Sequence, residues 1–420
     1  MKTIREARSE LLRIFNAGVA AVDGRTAVAG YLAQHPMGQN CSLVALGKAA
    51  GAMAQGAIDA LGGTLLDGLV ISKPGHLDRP ALEARRLMTM EGGHPLPDSG
   101  SLEAGRALID FLSQLPPDRD LLFLISGGTS SLVEVLHPGI GLDDLRRVNQ
   151  WLLGSGFSIE KMNRVRKSIS AIKGGGLLRH IGERKVTGLL ISDVRWDDPA
   201  VIGSGLLVAE RNDEEAPGSL RLPDWITALT LPIDPDQRAA APDVDLHIVA
   251  SLNDAREAAA QAARALGYET QVSHAFINAT AENAGRRLAL ELMDSLPGVY
   301  VWGGEPSVLL PESPGRGGRN QHLALSAATV IEGSDDILFL SAGTDGSDGP
   351  GEDAGALVDG GTLGRARRRG FDPDRSLAAA DSGSLLAASG DLIHTGPTGT
   401  NVMDLMIGMR IAKSHDHEFE

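Results

Sequence analysis

The sequence repeats one local pattern: a short apolar run, then a cluster of glycine or small polar residues, then an alanine-rich stretch with helical spacing. The apolar runs are Leu43–Leu46, Leu121–Ile125, Val186–Ile191, Leu246–Ala250, Val299–Trp302 and Ile337–Leu340. Short apolar runs that alternate with helices are typical of βαβ units, whose strands form a parallel sheet. The pattern therefore predicts an α/β fold, with ligands bound beyond the carboxyl ends of the strands, where the glycine clusters stand.

The sequence also predicts how the chain is divided. A stretch between Glu210 and Asp245 is rich in proline and acidic residues and has no long apolar period, which is typical of a boundary or a long surface connection. A chain of 420 residues is long enough for two or three domains. We therefore expect two α/β domains, over residues 1–238 and residues 239–420, the first of which opens with an amphipathic helix over residues 4–20.

Charge and composition exclude several classes of function. The chain has 39 Lys and Arg residues against 54 Asp and Glu residues, which gives a formal charge of −15. Such a surface repels phosphate backbones, so we expect no nucleic-acid partner. No uncharged apolar window approaches the roughly 20 residues of a membrane helix, and Met1–Arg13 lacks the apolar core of a signal peptide. Because Cys41 is the one cysteine, we expect a cytoplasmic protein without a membrane partner, and the sequence leaves open a monomer or a homodimer.

Two clusters in the first half follow predicted strands and could bind an anion. Lys48 follows Gly47 and precedes a helix, so it could hold an anion near the helix N-terminus, although a plain surface lysine is the alternative. The turn Ser126, Gly127 and Gly128 follows the second apolar run. Glycines there let backbone N–H groups approach a phosphate or a carboxylate, and hydroxyls add donors, although an ordinary strand–helix turn would look the same.

A basic segment follows at residues 163–176. Its spacing predicts a helix that carries Asn163, Arg166 and Lys173 on one face and ends at three glycines. In a chain with a net negative charge, such a cationic stripe could bind an anionic ligand. It could equally be a solvated face that is paired with nearby acidic residues.

Three aspartates follow predicted strands. Asp193 comes shortly after the run Val186–Ile191, and Asp345 and Asp348 lie in a glycine-rich loop after the run that ends at Leu340. A carboxylate at a strand end can orient a hydroxyl, act as a base or hold Mg²⁺. We therefore consider Asp193 as a catalytic carboxylate and all three as candidate metal ligands.

Two glycine-rich loops of the second half suit phosphoryl groups. The stretch Gly315–Gln321 contains Arg316 and Arg319 and runs into a predicted helix, so planar guanidinium groups stand beside bare backbone amides. The stretch His394–Asn401 supplies hydroxyls and flexible backbone, which is plausible for a nucleotide. The sequence has no zinc spacing, no G-x-S-x-G elbow, no strand-following G-x-G-x-x-G and no Walker A loop. This inventory favours phosphoryl transfer without a P-loop.

The spacing of these motifs resembles the glycerate 2-kinase family with a C-terminal MOFRL domain, which was formerly confused with hydroxypyruvate reductases. The matching stretches of the first half are Gly47–Ala50, Gly93–Asp98, Ser126–Gly128, Asn163–Lys167, Lys173–Gly175 and Ser192–Val194. Those of the second half are Gly303–Glu305, Gly317–Gln321, Gly343–Gly346, Asp348–Pro350 and Thr395–Asn401. They extend over roughly residues 40 to 405 in the order of the family.

The resemblance implies ATP- and Mg²⁺-dependent phosphorylation of D-glycerate to 2-phosphoglycerate. It also implies a Rossmann-like first domain, a MOFRL-type second domain and an active site in the cleft between them. Lys48, Asp193 and Arg319 would then lie at the reaction centre. Substrate or phosphate would contact Ser126, Gly127, Gly128, Asn163, Arg166 and Lys173. The nucleotide would contact Gly317, Gly318, Asn320, Thr398, Gly399 and Thr400.

Several positions depart from the family pattern and leave the acceptor open. Arg195-Trp196 stands in place of the usual Pro-Gly, and Gly383 stands in place of the usual Tyr. One alternative is therefore a kinase for another small hydroxy acid, such as tartronate or a sugar acid. A second alternative is a protein that binds phosphorylated metabolites without catalysis. A nicotinamide reductase is disfavoured because the dinucleotide fingerprint is missing.

Overall fold

The computed structural model describes residues 3–155, 157, 159–209, 220–230 and 244–412. The strands are β1 (Cys41–Leu46), β2 (Leu65–Ser72), β3 (Leu87–Glu91), β4 (Asp120–Ile125), β5 (Val186–Ile191), β6 (Val244–Ala250), β7 (Thr270–Ile277), β8 (Gly298–Gly304), β9 (Ile337–Gly343), β10 (Gly355–Asp359), β11 (Leu392–Ile393) and β12 (Asp404–Arg410). The α-helices are α1 (Ile4–Ala21), α2 (Gly24–Gln34), α3 (Ala50–Leu61), α4 (Arg79–Glu83), α5 (Ser99–Gln114), α6 (Thr129–Leu132), α7 (Leu142–Gly154), α8 (Ile159–Ser168), α9 (Asp224–Thr227), α10 (Leu252–Ala265), α11 (Ala281–Met293), α12 (Arg319–Val330), α13 (Thr362–Arg367), α14 (Pro373–Ala378) and α15 (Ser382–Ser389).

The chain divides into two compact units. The first unit comprises residues 24–249, and the second unit combines residues 1–23 with residues 250–420. The boundary predicted at residues 238/239 falls in a segment, residues 231–243, that lies outside the described residues. The opening helix is thus grouped with the second half of the chain, whereas the sequence analysis placed it in the first domain.

The first unit is built on the predicted parallel sheet. Its strand order is β3-β2-β1-β4-β5-β6, and in the central pairs Leu46 of β1 lies opposite Ile71 of β2 and Ile125 of β4. All six residues of β1 are buried because helices cover both faces of such a sheet. This order is that of doubly wound dinucleotide-binding folds, and it reverses between β1 and β4. Ligands of such sheets bind outside the carboxyl ends of the strands at this reversal.

The basic helix ends earlier than the sequence predicts. Helix α8 ends at Ser168, and the segment after it pairs with the chain that follows β4: the N–H of His137 donates to the carbonyl of Ile169, and the N–H of Ala171 donates to the carbonyl of Val135. These pairings take the backbone out of the helical hydrogen-bond pattern. The prediction that Lys173 shares a helical face with the residues of α8 is therefore wrong.

The second unit contains a mixed sheet in the order β11-β10-β9-β12-β8-β7. The predicted strands at β8 and β9 are confirmed, but β12 lies between them and runs antiparallel to both. Its first residue, Asp404, is opposite Gly304 of β8 and Gly343 of β9. The amino end of β12 therefore lies at the carboxyl ends of β8 and β9, which brings a carboxylate to that edge of the sheet.

Helix α1 is connected to the rest of the second unit by side-chain packing on α10 and by an ion pair. It buries Leu11, Ile14 and Phe15, and at Gly18 a Cβ would lie only 2.8 Å from the carbonyl oxygen of Ala255 in α10. Glycine at this position lets the two helices approach closely.

Arg8, on the same helix, forms an ion pair with the buried Asp391 at 2.8 Å. It also donates to the carbonyl oxygen of Leu357 in β10 at 3.0 Å. These two contacts connect the start of the chain to the edge of the mixed sheet.

Candidate active site

The loops that follow β1 and β4 carry two of the predicted anion sites and are hydrogen-bonded to each other. The N–H of Lys48 donates to the carbonyl of Gly127 at 2.9 Å, and the N–H of Ala49 donates to the Ser126 hydroxyl at 3.0 Å. Gly47 has a φ of +114°, and a Cβ there would lie 2.3 Å from Ser126 Oγ. Glycine is therefore required at position 47 for the two loops to pack.

The hydroxyl of Ser126 is used inside these loops. The residue is fully buried, and its hydroxyl donates to the carbonyl of Leu46 at 3.3 Å while it accepts from Ala49. A hydroxyl has one proton to donate, and here the protein accepts it. The side chain of Ser126 thus connects the two loops, and Gly127 beside it is buried as well. Contact of this turn with a ligand stays a prediction.

Lys48, His94 and Gly128 meet at the carboxyl edge of the first sheet. Gly128 has a φ of +85°, and a Cβ there would lie 3.2 Å from Lys48 Cγ and 3.1 Å from His94 Cδ2. All three residues are half-buried. An ammonium-bearing side chain, an imidazole and a bare backbone therefore surround one place, which suits a phosphate or a carboxylate. No role was predicted for His94, although it belongs to the motif Gly93–Asp98, which could have indicated one.

Asp193 lies at the same edge of the sheet, as predicted. It follows β5, the neighbour of β4, and is half-buried. The loop after it packs over the end of β4: Ser204 Oγ donates to Ser130 Oγ at 2.8 Å, and a Cβ at Gly203 would lie 2.9 Å from Ile125. These contacts fix the loop on the first sheet, so the carboxylate and Lys48 belong to one set of strand-end residues.

Lys173, a predicted substrate ligand, forms a buried ion pair. Its side chain is 3% exposed, and its ammonium contacts the carboxylate of Glu134, which is fully buried. Ser170 Oγ donates to the other carboxylate oxygen of Glu134 at 2.6 Å. Because the ammonium is paired inside the protein, Lys173 instead fixes the turn that follows α8.

Arg166 and Asn163 lie together on α8. Arg166 Nε donates to Asn149 Oδ1 at 2.9 Å, and Nη1 donates to Asn163 Oδ1 at 3.2 Å. Burial lowers the pKa of Arg166. Both amides belong to the helical hairpin of α7 and α8 and are uncharged, so the guanidinium retains its charge for an anion.

In the second unit, a carboxylate of the protein occupies the N-terminus of α12. Both oxygens of Asp348 accept from this terminus, from the N–H of Asn320 at 2.9 Å and from the N–H of Gln321 at 2.8 Å. A Cβ at Gly318 would lie 2.4 Å from the carboxyl group of Asp348, so glycine is needed for this approach. These backbone groups hold both oxygens of Asp348, and its role as a metal ligand stays a prediction.

Three predicted nucleotide contacts pack against neighbouring protein groups. The side chain of Asn320 is buried and accepts from Ser341 Oγ at 2.6 Å, so it is held inside the unit. Gly318 admits Asp348, and a Cβ at Gly317 would lie 3.0 Å from the backbone nitrogen of Gly383. Contact of these three residues with a nucleotide stays a prediction.

Arg319 is held by two carboxylates. Its Nε donates to Asp404 at 2.6 Å and its Nη2 at 3.1 Å, while its Nη1 donates to Glu305 at 2.8 Å. Burial acts to lower the pKa of Arg319, but Asp404 and Glu305 raise it overall. The guanidinium of Arg319 therefore stays charged and is fixed in orientation.

Burial also changes the pKa of Asp348, which it raises to about 7 against the opposing effect of the two N–H donors.

The loop that contains Thr398, Gly399 and Thr400 packs on the loop after β9. Thr398 Oγ1 donates to the carbonyl of Thr344 at 2.5 Å, and a Cβ at Gly346 would lie 2.0 Å from the carbonyl of Gly396. Thr400 Oγ1 is buried and has no hydrogen-bond partner among the described residues. A buried hydroxyl without a partner is costly, so this atom is suited to a polar ligand.

The described residues provide few grouped side chains that could bind a metal ion. Within them, no group of three or more His, Cys, Asp and Glu side chains could hold one. Asp345 is 8% exposed, and its Oδ1 accepts from the N–H and the hydroxyl of Ser347, both at 2.9 Å. Mg²⁺ in kinases is usually held by one or two carboxylates together with phosphates and water. Asp193, Asp345 and Asp348 stay the predicted ligands for such an ion. In the part of the chain that is described, no helix is long and apolar enough to cross a membrane.

Two family models match this chain. A model described as a domain of unknown function (DUF4147) matches residues 10–220, which is half of the chain, and the MOFRL family model matches residues 298–404. The two matches fall on the parallel sheet and on the mixed sheet, and the second one ends at Asp404.

The chain is also similar to characterised proteins over most of its length. It is 35% identical to the D-glycerate 2-kinase of Thermotoga maritima, over 87% of this chain and 90% of that protein. It is 38% identical to a putative hydroxypyruvate reductase of Agrobacterium vitis, over 95% and 93%. The crystal structure of a glycerate kinase (EC 2.7.1.31) from Thermotoga maritima superimposes with a TM-score of 0.84 at 33% identity and covers 97% of this chain and 100% of that one. The chain belongs to the glycerate kinase family.

Proposed function

We propose that this protein transfers a phosphoryl group from ATP to the 2-hydroxyl of D-glycerate and forms 2-phosphoglycerate and ADP. The observation that carries the proposal is that this member of the family has a cation at the strand ends of each sheet. Lys48 stands beside Gly128 and His94 in the first unit, and Arg319 is fixed by Asp404 in the second. Phosphoryl transfer is catalysed mainly by positioning and by charge stabilisation, which such cations supply.

Three residues have direct roles in the proposed reaction. The 2-hydroxyl oxygen attacks the γ-phosphorus, its proton passes to the carboxylate of Asp193, and the bond to the β–γ bridging oxygen breaks to release ADP. Lys48 and Arg319 stabilise the charge on the transferred group. His94 is added to this set because it flanks the same glycine as Lys48, and its imidazole can donate to an anionic oxygen.

The remaining contacts anchor the two substrates. Gly128 offers bare backbone beside Lys48, and Arg166 with Asn163 offers a charged donor and an amide to the carboxylate of an acceptor. Thr398, Gly399 and Thr400 are proposed to contact the nucleotide, because the buried hydroxyl of Thr400 needs a partner. Asp193 and Asp345 are the carboxylates proposed to hold Mg²⁺, which would neutralise phosphate charge when bound.

The direct test supplies ATP, Mg²⁺ and D-glycerate and follows product through enolase, with and without phosphoglycerate mutase. We expect a signal without mutase, because enolase consumes 2-phosphoglycerate. A signal that requires mutase would show transfer to the 3-hydroxyl and would overturn the role of Asp193. If folded protein gives no product, transfer to tartronate and to sugar acids is measured next, and oxidation of NADH by hydroxypyruvate tests the reductase activity.

Two variants assign the chemistry to the proposed cations. K48A and R319A are each expected to lower kcat by about 10²-fold or more while unfolding remains cooperative. K185A is the matched control, because Lys185 is exposed and precedes β5 at the opposite edge of the same sheet. Near-normal kcat in both K48A and R319A would contradict the assignment.

We also propose a cytoplasmic location, with a monomer or a homodimer as the working state. Cys41 is a buried free thiol, and burial raises its pKa to about 12. Such a thiol is unreactive and suits a reducing compartment. Size-exclusion chromatography with light scattering distinguishes the two states.

A further inference from the structure

Asp404 is a buried carboxylate at the edge of the mixed sheet where β8 and β9 end. It is the first residue of β12, and its register partners on both sides are glycines, Gly304 and Gly343. A Cβ at Gly343 would lie 3.5 Å from Asp404 Oδ1, in contact with the carboxylate. The residue is 1% exposed. A charge is buried to this extent in proteins only when it is paired and hydrogen-bonded.

The partner of this carboxylate is Arg319, and the pairing is bidentate. One oxygen of Asp404 accepts from Nε at 2.6 Å and the other accepts from Nη2 at 3.1 Å. Two parallel hydrogen bonds of this kind fix the plane of a guanidinium as well as its position. Arg319 begins α12, so its backbone is fixed too, through the N–H groups of the next two residues on Asp348.

The other carboxylate on Arg319 has a different character. Glu305 is 47% exposed and accepts from Nη1 at 2.8 Å through a single hydrogen bond. Exposed pairs of this kind contribute little and exchange readily with solvent or ligand. A guanidinium has five N–H bonds, and these contacts use three, which leaves one on each terminal nitrogen. Neither Asp404 nor Glu305 uses these two N–H bonds, and the side chain of Arg319 is 36% exposed.

We propose that Asp404 is the positioning residue of Arg319: it fixes the guanidinium so that the two terminal nitrogens present their remaining N–H bonds to oxygens of the transferred phosphoryl group. Glu305 is the exchangeable partner on the open side. This inference rests on the proposed function, because it assumes that Arg319 contacts the phosphoryl group. It extends that function to a residue that touches neither substrate nor nucleotide.

A double-mutant cycle tests the assignment in the intact protein. D404N, R319A and the double variant are assayed with ATP, Mg²⁺ and D-glycerate, and kcat and KM are measured for each. We expect D404N to lower kcat by about 10²-fold with a change in KM below about threefold, and to have almost no further effect on kcat in the R319A background. Effects on kcat that multiply in the double variant would overturn the proposal, because a merely structural role acts independently of Arg319.

D359N is the matched control for this substitution. Asp359 is also a buried aspartate of the second unit and also binds an arginine through both oxygens, Arg365 at 2.9 and 3.1 Å. If loss of kcat follows any broken Asp–Arg pair in this unit, D359N will lose kcat as D404N does, and that result would overturn the specific role of Asp404. We expect D359N to lower thermal stability and to leave kcat within about twofold of the wild type.

A spectroscopic readout keeps the test independent of turnover. In protein with ¹⁵N-labelled arginine, the Nε–H signal of Arg319 is assigned by its loss in R319A. We expect that signal in the wild type to exchange slowly with water and to do so faster in D404N. If wild type forms no phosphoglycerate, the proposed function fails, and this signal still decides whether Asp404 fixes the guanidinium of Arg319. If D404N does not fold, the wild type alone decides: an Nε–H of Arg319 that exchanges as fast as that of the exposed Arg286 would overturn a fixed guanidinium.

Discussion

Two glycine-rich loops of this chain look alike in sequence and differ in the groups that lie beside their glycines. The turn Ser126–Ser130 follows β4, and the loop Gly315–Gln321 precedes α12; both place glycines ahead of a helix. In the first loop, Gly128 leaves bare backbone next to Lys48 and His94. In the second, Gly318 makes room for a carboxylate of the protein itself, which accepts from the backbone N–H groups of α12.

The difference shows what a glycine loop can and cannot indicate. Glycines ahead of a helix do predict that an anion approaches backbone N–H groups, and this holds in the second loop. The sequence does not say whether the anion is a ligand or an aspartate from elsewhere in the chain. Asp348 lies 28 residues after Asn320, so their contact depends on the fold and not on local spacing.

The largest effect is expected from removing the internal anion. D348A leaves the N–H groups of Asn320 and Gln321 without their acceptor inside the second unit, so we expect the free energy of unfolding to fall by roughly 2–5 kcal/mol. D348N, which keeps the shape and one acceptor oxygen, should lose less. Urea denaturation at neutral pH measures both. If the second loop instead binds a phosphate, D348A will be nearly as stable as the wild type and will bind inorganic phosphate more tightly.

A pair of matched glycine variants compares the loops directly. Gly318 has an ordinary extended backbone, with φ −138° and ψ −173°, so G318A is disfavoured only through the clash of its Cβ with Asp348. We expect it to cost about 1–3 kcal/mol of stability. G128A imposes a φ of +85° on alanine and displaces Lys48 and His94. We expect it to cost about 1 kcal/mol of stability and to lower kcat/KM more than G318A does.

We expect the two variants to rank in opposite order for lost stability and for lost kcat/KM. G318A should rank first in lost stability, as measured by urea denaturation, and G128A should rank first in lost kcat/KM for glycerate. If G318A loses more kcat/KM at equal stability, the second loop contacts substrate, and the distinction between the loops is wrong.

Much of the fold was predictable because burial repeats along the chain. The apolar runs that form β1, β4 and β5 are buried on both faces, and continuous apolar runs of this kind can be recognised in a sequence as buried strands. Strand β12 was missed, although it too is apolar, because the sequence has no glycine cluster of the repeated pattern after it. The partner of α1 was missed for a different reason: an amphipathic helix shows that it packs on something but not on what, and Gly18 shows its fit to α10 only in the structure.

The candidate site was predictable to the extent that strand ends gather functional residues. Lys48 and Asp193 lie at the predicted edge because each directly follows a buried strand. The buried pairing of Lys173 was not predicted, because its partner, Glu134, lies 39 residues earlier in the chain. His94 was given no role, although it belongs to the motif Gly93–Asp98. What the sequence could not give in each case is a contact between distant segments.

The pH dependence of stability distinguishes an internal carboxylate from a ligand site. Burial raises the pKa of Asp348 to about 7, well above the ordinary value of an aspartate in the unfolded chain. The folded protein therefore holds this proton more tightly. The part of the stabilisation that comes from the bound proton is present at low pH and is lost as the pH rises from about 4 to about 7, whereas the hydrogen bonds from the two N–H groups remain. We expect the difference in unfolding free energy between wild type and D348N to fall over that range and to be constant above it. A difference that rises with pH would show that the two N–H donors hold the carboxylate ionised.

The smallest effect is expected at Thr400, which tests whether the second unit has a ligand-facing polar atom outside the Gly315–Gln321 loop. Its hydroxyl is buried without a partner among the described residues, whereas the hydroxyl of Thr398 donates to Thr344. T400V keeps the branched shape and removes the unpaired group, so we expect stability to be unchanged or about 1 kcal/mol higher and the affinity for ADP, measured by calorimetry, to fall by about tenfold. T398V is the matched control and should lose about 1 kcal/mol of stability, because it leaves a carbonyl without its donor. Unchanged ADP affinity in T400V would place the nucleotide elsewhere and would leave Arg319 as the remaining candidate contact of this unit.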